Sequence, residues 1–307
     1  MQTAPRAADA LPGNGGYQPK LITVDGLRTR YYEIGRGEPM LLCHGMGWAA
    51  CFGADTWTPV LGALGEQFHV FAPDKLASGM TDNPRSPADY TIEAQVAHMA
   101  GFIHALGLER VHLVGQSRGA YLAARLALEQ PGLAKSLVLV DSQTIAPEVG
   151  AFSREAFDAR RRVLFAGRPD DVRESFRFTQ AKLSFSSDHI TDEFVEIAAY
   201  MEALPKAAET RRCWQEGGEA RFEASLDAQK AETLRWLADG RLQVPTLITW
   251  GRDDPSAILA QGVALFELLC ERNAHTRMWI ANQAGHFPYR EHPAEWARVV
   301  TEFITAG

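Results

Sequence analysis

Residues 111–126 read VHLVGQSRGAYLAARL, an apolar run followed by a serine between two glycines and then by a helix-forming run. A Gly-x-Ser-x-Gly motif between a strand and a helix is typical of a nucleophile elbow, a strained turn that exposes the serine hydroxyl. Strand and helix approach closely there, so a side chain at Gly115 or Gly119 would clash. The motif predicts that Ser117 is a nucleophile, if its strand, its helix and its catalytic partners are also present.

Short apolar runs alternate with amphipathic segments along most of the chain. The runs that we predict to be buried strands are Met40–Cys43, His69–Ala72, Val111–Val114, Leu137–Val140, Thr246–Trp250 and Arg277–Ile280. Runs of this kind, separated by helices, favour an α/β fold with a mostly parallel central sheet flanked by helices. One such helix extends from Ile92 to Leu106 and stops at Gly107, and another is predicted over Pro293–Ile304.

The alternation breaks after Val140 and resumes near Thr246. We predict a helical cap at residues 146–240, inserted over the catalytic edge of a core formed by residues 21–145 and 241–307. The phenylalanines of this insert would either form apolar walls for a substrate or pack its helices together. They are Phe152, Phe157, Phe165, Phe176, Phe178 and Phe185. Residues 1–20 are rich in proline and glycine and are predicted to form a flexible arm.

The bulk properties favour a soluble enzyme that acts on a small molecule. A net charge of -7 over 307 residues supplies no basic patch for nucleic acid, and residues 160–162, three arginines, are predicted to be a solvated helix face. No signal peptide or membrane anchor is recognisable, so we expect a cytoplasmic protein without a membrane partner. Whether it forms a homo-oligomer is left open.

The four cysteines lack the spacing of a zinc site and are expected to be reduced thiols. Cys43 adjoins His44, which suggests a second nucleophile, but Cys43 belongs to an apolar strand where a small hydrophobic residue is ordinary. No metal and no organic cofactor is expected.

A serine hydroxyl needs a base that accepts its proton during attack. Nine histidines are available, and His286 follows the last apolar run, on a loop that can reach the carboxyl edge of the sheet. We therefore predict His286 as the base. Four others lie on predicted strands or on the 92–106 helix and are expected to be structural: His69, His98, His104 and His112.

An acid must then orient the imidazole and stabilise its cationic form. Asp253 and Asp254 follow the run Thr246–Trp250 and precede His286, which gives the order Ser, Asp, His. We favour Asp254 over Asp253, and expect the other carboxylate to be solvated. Asp141 is a third candidate because it too ends a strand, although it could merely cap the following loop.

The chemistry also needs amides that stabilise the oxyanion formed when serine attacks a carbonyl. Residues 44–47, His-Gly-Met-Gly, follow the strand Met40–Cys43, and their glycines allow backbone N–H groups to turn toward the site. We interpret His44 as a residue that organises this loop rather than as a base.

Taken together, these motifs resemble the α/β-hydrolase superfamily from about Leu21 to the C-terminus. The resemblance implies that the amides of Met46 and Arg118 form the oxyanion hole. It also implies that alkyl-enzyme chemistry is absent, because the haloalkane dehalogenases and epoxide hydrolases of this fold use an aspartate where this chain has Ser117.

Within the superfamily the chain most resembles the meta-cleavage product hydrolases of aromatic degradation, through residues 249–254, TWGRDD, and 188–194, DHITDEF. It departs from them where they have a substrate-binding arginine, here Ala198 or a neighbour, and a tryptophan, here Phe287. At the elbow they commonly have Asn-Ser-Met, where this chain has Gln-Ser-Arg at residues 116–118. The carboxylate of a dienoate substrate would need another cation.

Arg118 could be that cation, since a guanidinium can bind a carboxylate bidentately; the alternative is an ion pair with a protein carboxylate such as Asp82 or Asp141. The residues predicted to bind substrate are Gly45, Gly47, Gln116, Arg118 and Phe287.

The resulting prediction is a serine hydrolase that cleaves a carbon–carbon bond in a ring-fission product of the 2-hydroxy-6-oxo-dienoate type, or in a related diketone. There the resemblance implies that His286 also assists ketonisation. The alternatives are a carboxylesterase or lactonase acting on small esters, a small-molecule receptor with a hydrolase fold, and cofactor-free oxygen chemistry.

Overall fold

A computed structural model describes residues 11–150 and 153–306. Its centre is an eight-stranded sheet with the order β1-β2-β4-β3-β5-β6-β7-β8. β2 is antiparallel to both of its neighbours, β1 and β4, and all other neighbouring strands are parallel. The strands are β1 Lys20–Val24, β2 Leu27–Ile34, β3 Glu38–Cys43, β4 Phe68–Pro73, β5 Val111–Gln116, β6 Ala134–Val140, β7 Thr246–Gly251 and β8 Thr276–Ala281. The prediction of a mostly parallel α/β sheet is confirmed.

The helices cover both faces of the sheet. They are α1 Thr58–Gly65, α2 Ile92–Ala105, α3 Arg118–Glu129, α4 Arg154–Leu164, α5 Val172–Leu183, α6 Asp192–Glu202, α7 Pro205–Cys213, α8 Glu219–Ala238, α9 Leu259–Cys270, α10 Pro288–Glu291 and α11 Pro293–Thr305. Alternate residues of β3 show the two-sided burial, because Leu41 packs in the cluster that includes α2 and α3, whereas Met40 and Leu42 pack in the cluster that includes α1 and α11. This burial explains why the strands are apolar along their length.

All six predicted strands are present, but β8 is less buried than expected. It lies at the edge of the sheet, where Arg277 and Ile280 are exposed. The hairpin β1–β2 was missed because its residues alternate between polar and apolar. Its turn, Asp25-Gly26, has positive φ at both positions, +48° and +78°. Asp-Gly between two such strands is a hairpin signal that could have located it.

The segment between β6 and β7 is helical in the residues described, with α4 to α8, and the chain is kinked within Trp214–Gly218, where Gly217 has φ +99°. α5 and α6 form a small core of their own around Phe176 and Phe194, and Met80 and Phe52 of the sheet domain pack against it. The predicted cap at 146–240 corresponds to this segment, and its role as a cap stays a prediction.

The predicted N-terminal arm, residues 1–20, lies partly outside the described residues. Within the described part, Asn14 and Tyr17 form a β-bridge. The ring centroid of Tyr17 lies 6.3 Å from that of Tyr32. The Gly15 amide donates to Glu193 Oε1 of α6 at 2.9 Å. These contacts tie residues 14–17 to both the sheet and the helical segment. Across the described parts of the chain, none of the helices has the length and apolar character needed to span a bilayer.

We predict that Gly119→Ala destabilises the protein by about 3 kcal/mol, because the added methyl would overlap the backbone carbonyls of Cys43 and His44. The control is Gly107→Ala, at a position with φ +67° and no neighbouring atom within 4 Å, where only the left-handed backbone is penalised, by about 1 kcal/mol. Urea denaturation measures both. Equal losses in the free energy of unfolding would show that the close approach at Gly119 does not limit the size of the residue there.

Candidate active site

Ser117 lies in a strained turn between β5 and α3. Its φ is +54° and its ψ is -123°, a conformation that costs about 1–3 kcal/mol for a residue with a side chain. The turn is held by two hydrogen bonds, from the Ser117 amide to the Val140 carbonyl at 2.8 Å and from Ser142 Oγ to the Ser117 carbonyl at 2.6 Å. This is the geometry that the Gly-x-Ser-x-Gly motif predicts.

His286 Nδ1 donates to Asp254 Oδ2 at 2.6 Å. The other carboxylate oxygen of Asp254 accepts from the Ser256 amide, the Ser256 hydroxyl and the Ala257 amide, at 2.7, 2.8 and 2.9 Å. Because a carboxylate only accepts, the proton of this bond lies on Nδ1, and Nε2 keeps its lone pair for a substrate or nucleophile proton.

The structure separates the two adjacent aspartates. The Asp254 side chain is completely buried and contacts His286, whereas the Asp253 side chain is 32% exposed and lies 3.7 Å from Arg252. The β7 exit loop therefore turns one carboxylate inward and the other outward. Asp254 is the one that can orient the histidine.

Asp141, the third candidate, ends β6 beside this pair. Its Oδ1 accepts from the Gly251 amide at 2.8 Å, and burial together with the nearby Asp254 carboxylate raises the pKa of Asp141 well above its ordinary value. Asp141, Asp254 and His286 each place a polar atom within 4.8 Å of the others. Since His286 Nδ1 and both Asp254 oxygens already have hydrogen-bond partners, the cluster fits a hydrogen-bonded acid pair and histidine better than an open metal site.

The loop at residues 44–47 lies against the elbow. A methyl at Gly45 would overlap Gln116 Oε1, and one at Gly47 would lie 2.7 Å from a terminal nitrogen of Arg118, so a side chain at either position would displace a side chain of the elbow. His44 is buried, and burial lowers its pKa well below the ordinary value. Its two ring nitrogens bond to backbone groups, the Gly45 carbonyl and the Lys75 amide. These contacts fit an organising residue.

The loop that carries His286 is held from three directions. The His286 amide donates to the Leu183 carbonyl of α5 at 2.8 Å, and Gln116 Nε2 donates to the His286 carbonyl at 3.2 Å. The neighbouring Gly285 amide donates to Glu291 Oε1 at 2.8 Å. Gln116, expected to bind substrate, is thus used to position the histidine loop.

Ser117 and His286 open onto the same cavity, which has a volume of about 190 Å³. Met46, Arg118 and Ser256 also line it, and the helical segment supplies most of the remaining wall. Gly45, Gly47, Gln116 and Phe287 lie outside this lining; Phe287 is buried against the rings of His286 and Tyr289. Of the six phenylalanines, Phe157 and Phe165 line the cavity, and Phe152 lies outside the described residues.

The cavity wall is rich in charged side chains. They are Arg118, Glu148, Asp158, Arg161, Arg168, Glu223, Asp227 and Lys230. The Arg118 guanidinium pairs with Glu223 of α8 at 2.9 Å and lies 5.2 Å above the Phe222 ring. The protein carboxylate that pairs with Arg118 is therefore Glu223, not Asp82 or Asp141. In the arginine cluster at 160–162, Arg161 and Arg162 are exposed, as expected for a solvated helix face, and Arg161 also lines the cavity.

Residues 38–293 match the family model described as the alpha/beta hydrolase fold. The chain belongs to this family. Its enzymatic class is accordingly that of a hydrolase, and the resemblance expected from the sequence is confirmed.

Relatives with known names resemble this α/β-hydrolase over almost its whole length. The 2-hydroxy-6-oxo-2,4-heptadienoate hydrolase of Pseudomonas putida F1 is 28% identical over 94% of this chain and 96% of its own. The 2-hydroxymuconate semialdehyde hydrolase of Pseudomonas sp. CF600 is 27% identical, over 95% and 96%. A variant of the meta-cleavage product hydrolase CumD superposes with a TM-score of 0.74 at 25% identity, over 94% and 98%.

Two residues of this α/β-hydrolase that sequence reasoning missed hold the helical segment to the histidine loop. Glu291 Oε2 accepts from the Phe185 and Ser186 amides at 2.8 and 2.9 Å. The buried Arg290 donates to the His189 carbonyl at 2.9 Å and lies 3.7 Å above the Phe194 ring. Their only sequence signal is their place just after His286, which does not reveal which distant segment they contact.

We predict that Asp254→Asn slows phosphonylation of Ser117 by a fluorophosphonate by about 10³–10⁴-fold, because the amide no longer stabilises the imidazolium or its tautomer. Asp253→Asn is the matched control and should react within about twofold of the wild type, since its carboxylate points toward solvent. The rate constant of labelling, followed by intact mass, gives both values. Similar losses in the two variants would reject Asp254 as the orienting acid.

Proposed function

We propose that this α/β-hydrolase uses Ser117 as nucleophile, His286 as base and then acid, and Asp254 as the residue that orients His286. The observation that carries the proposal is the Asp254–His286 hydrogen bond of 2.6 Å, made by a histidine that shares one cavity with a strained serine. A buried acid, a histidine and a serine that reaches the cavity are the parts that acyl transfer needs.

In the proposed reaction, His286 Nε2 takes the Ser117 proton as Oγ attacks the substrate carbonyl carbon. The amides of Met46 and Arg118 hold the resulting oxyanion. Collapse breaks the bond to the leaving carbon or oxygen, which receives the proton from His286. Water, deprotonated by the same histidine, then hydrolyses the acyl-serine and releases a carboxylic acid. No redox partner is needed.

We favour carbon–carbon bond hydrolysis of a ring-fission dienoate or related diketone. The support is the near full-length similarity to two relatives whose names denote hydrolases of such compounds, together with the TWGRDD and DHITDEF stretches. In this case His286 would also assist ketonisation of the dienol, so that the departing carbon leaves as a stabilised enol.

The carboxylate of a dienoate would need a cation, and the structure narrows the choice. Ala198 is buried in the core of α5 and α6 and is not among the residues that line the cavity. Arg118 is paired with Glu223, whereas Arg161 and Arg168 project from the helical segment into the cavity wall. We propose that Arg118 or Arg161 meets the acidic group.

A second candidate is hydrolysis of small esters or lactones. The observation that favours it is the balance of charge in the cavity wall, where four basic residues face four acidic ones. Such a wall accepts a neutral polar ester without a net attraction for anions. This reaction needs only the acyl-enzyme steps.

Side-by-side turnover of a 2-hydroxy-6-oxo-dienoate, followed by loss of its colour, and of short-chain aryl esters distinguishes the two reactions. We expect kcat/KM for the dienoate to exceed that for the esters by at least about 10-fold, and Ser117→Ala to abolish both, because both need the nucleophile. Ester cleavage alone would move the enzyme to the second candidate. Turnover that survives in Ser117→Ala would reject the serine mechanism.

We predict that replacing the substrate-binding arginine by Met raises KM for the dienoate about 10- to 100-fold and leaves KM for a neutral aryl ester within about twofold, because a charge-assisted hydrogen bond is lost only for the anion. Arg118→Met and Arg161→Met are compared, with Glu223→Gln as the control that releases Arg118. Equal effects on acidic and neutral substrates in both arginine variants would show that neither recognises a carboxylate.

A further inference from the structure

Lys75 is a buried cation beside the loop at residues 44–47, and the proposed reaction leaves it without a role. It lies two residues after the end of β4, and only 1% of its surface is exposed. Its Nζ donates to the Met46 carbonyl at 2.5 Å, and its backbone amide donates to His44 Nε2 at 3.0 Å. The bond to the Met46 carbonyl offsets part of the cost of burying an ammonium group. Through its side chain and its backbone, Lys75 thus holds this loop at two points.

The bond from the Lys75 backbone amide to His44 sets the direction of the Met46 amide. A backbone N–H only donates, so His44 Nε2 accepts from Lys75 and the neutral ring carries its proton on Nδ1. That proton is donated to the Gly45 carbonyl at 2.9 Å. The Gly45 carbonyl and the Met46 N–H belong to one planar peptide group, so fixing the carbonyl also fixes the N–H.

The bond from Lys75 Nζ holds the peptide on the other side of Met46. Met46 has φ +59°, a left-handed conformation that residues with a side chain seldom adopt. Without a restraint, the peptide that follows it could rotate and relieve this conformation. The bond from Lys75 Nζ to the Met46 carbonyl prevents that rotation.

Lys75 is itself anchored by the buried charges next to it in the chain. Asp74 accepts from the Ala54 and Met80 amides at 2.7 and 2.8 Å and pairs with Arg30 at 3.2 Å. Arg30 also binds Asp55 at 2.8 Å. The backbone of Lys75 thus leaves β4 from a fixed point.

We propose that Lys75 is a positioning residue, which holds the Met46 amide toward the oxyanion formed when Ser117 attacks and does so best in its charged form. The proposal rests on the proposed serine mechanism. Lys75 acts through the loop, because the residues that line the cavity include Met46 but not Lys75.

Burial and the nearby Arg118 lower the pKa of Lys75 to about 7. The other groups that face it are Cys43 of β3, whose pKa burial raises to about 12, and His44, whose pKa lies well below its ordinary value. Arg118 of α3 stays charged. Between about pH 6 and 8, Lys75 is therefore the member of this group that changes charge, and a charged donor makes the stronger hydrogen bond.

The test compares Lys75→Met and Lys75→Gln with Lys206→Met. Lys206 is a matched control, because its Nζ also donates to backbone carbonyls, those of Ser78 and Gly79, and its pKa is also lowered by burial, to about 8.

With 4-nitrophenyl acetate we expect Lys75→Met to lower kcat about 10- to 100-fold and to leave KM within about twofold, since a misdirected oxyanion donor weakens binding of the transition state alone. Affinity for phenylboronic acid, which forms a tetrahedral adduct, should fall by the same factor.

The charged form is tested by the ratio of wild-type to Lys75→Met kcat across pH. The two enzymes differ only at residue 75, so we expect the ratio to fall as pH rises through about 7, where Lys75 loses its charge. Lys75→Gln, which keeps an N–H donor without the charge, should have an intermediate kcat and serves if the Met variant does not fold. A flat ratio would overturn the role of the charge.

Hydrogen exchange of the Met46 and Gly47 amides gives a readout that needs no turnover. It should be faster in both Lys75 variants than in the wild type and in Lys206→Met. Unchanged exchange, or equal losses of kcat in Lys75→Met and Lys206→Met, would reject the positioning role. If Ser117→Ala hydrolyses the ester as fast as the wild type, the serine mechanism fails instead, and the exchange rates still decide whether Lys75 holds the loop.

Discussion

The structure depends on the close approach of α3 to the strands β3 and β5. Gly119 lies against the carbonyls of Cys43 and His44, and Gly115 lies against the backbone of Gly119, so no side chain fits at either position. This contact turns Ser117 out of the sheet in a strained conformation. It also brings the loop at residues 44–47 next to the first turn of α3. The positions of Ser117 and of the loop at residues 44–47 are therefore consequences of one steric constraint, and the strain is balanced by the burial of the strands around it.

The second half of the site is built by long-range hydrogen bonds. The histidine loop is tied to α5 through the Leu183 carbonyl, to β5 through Gln116, and to the segment after α5 through Glu291. Because the same bonds hold the helical segment, the wall of the cavity and His286 share their supports. A large displacement of residues 183–186 would therefore disturb His286.

Much of the core could be predicted because its signals are local. Each predicted strand is a continuous apolar run, and Gly107 ends α2 with φ +67° as a helix-stopping glycine should. The β1–β2 hairpin was missed because half-polar strands lack such a run. The substrate-binding residues were harder to predict. Gln116 bonds to the histidine loop, Phe287 packs on His286 within that loop, and Arg118 pairs with a glutamate 105 residues away. Those partners are set by the packing of the helical segment, which no local pattern encodes.

The amino-acid sequence by itself determined the α/β-hydrolase fold, the serine at the elbow and the order of serine, aspartate and histidine, since these follow from hydrophobic periodicity and from glycines required by sterics. Only the tertiary structure placed Asp254 rather than Asp253 against His286, paired Arg118 with Glu223, and brought Lys75 Nζ to the Met46 carbonyl. The physical reason is that burial and charge pairing depend on which distant segments meet. A one-residue difference along the β7 exit loop is enough to turn a carboxylate from the histidine to the solvent.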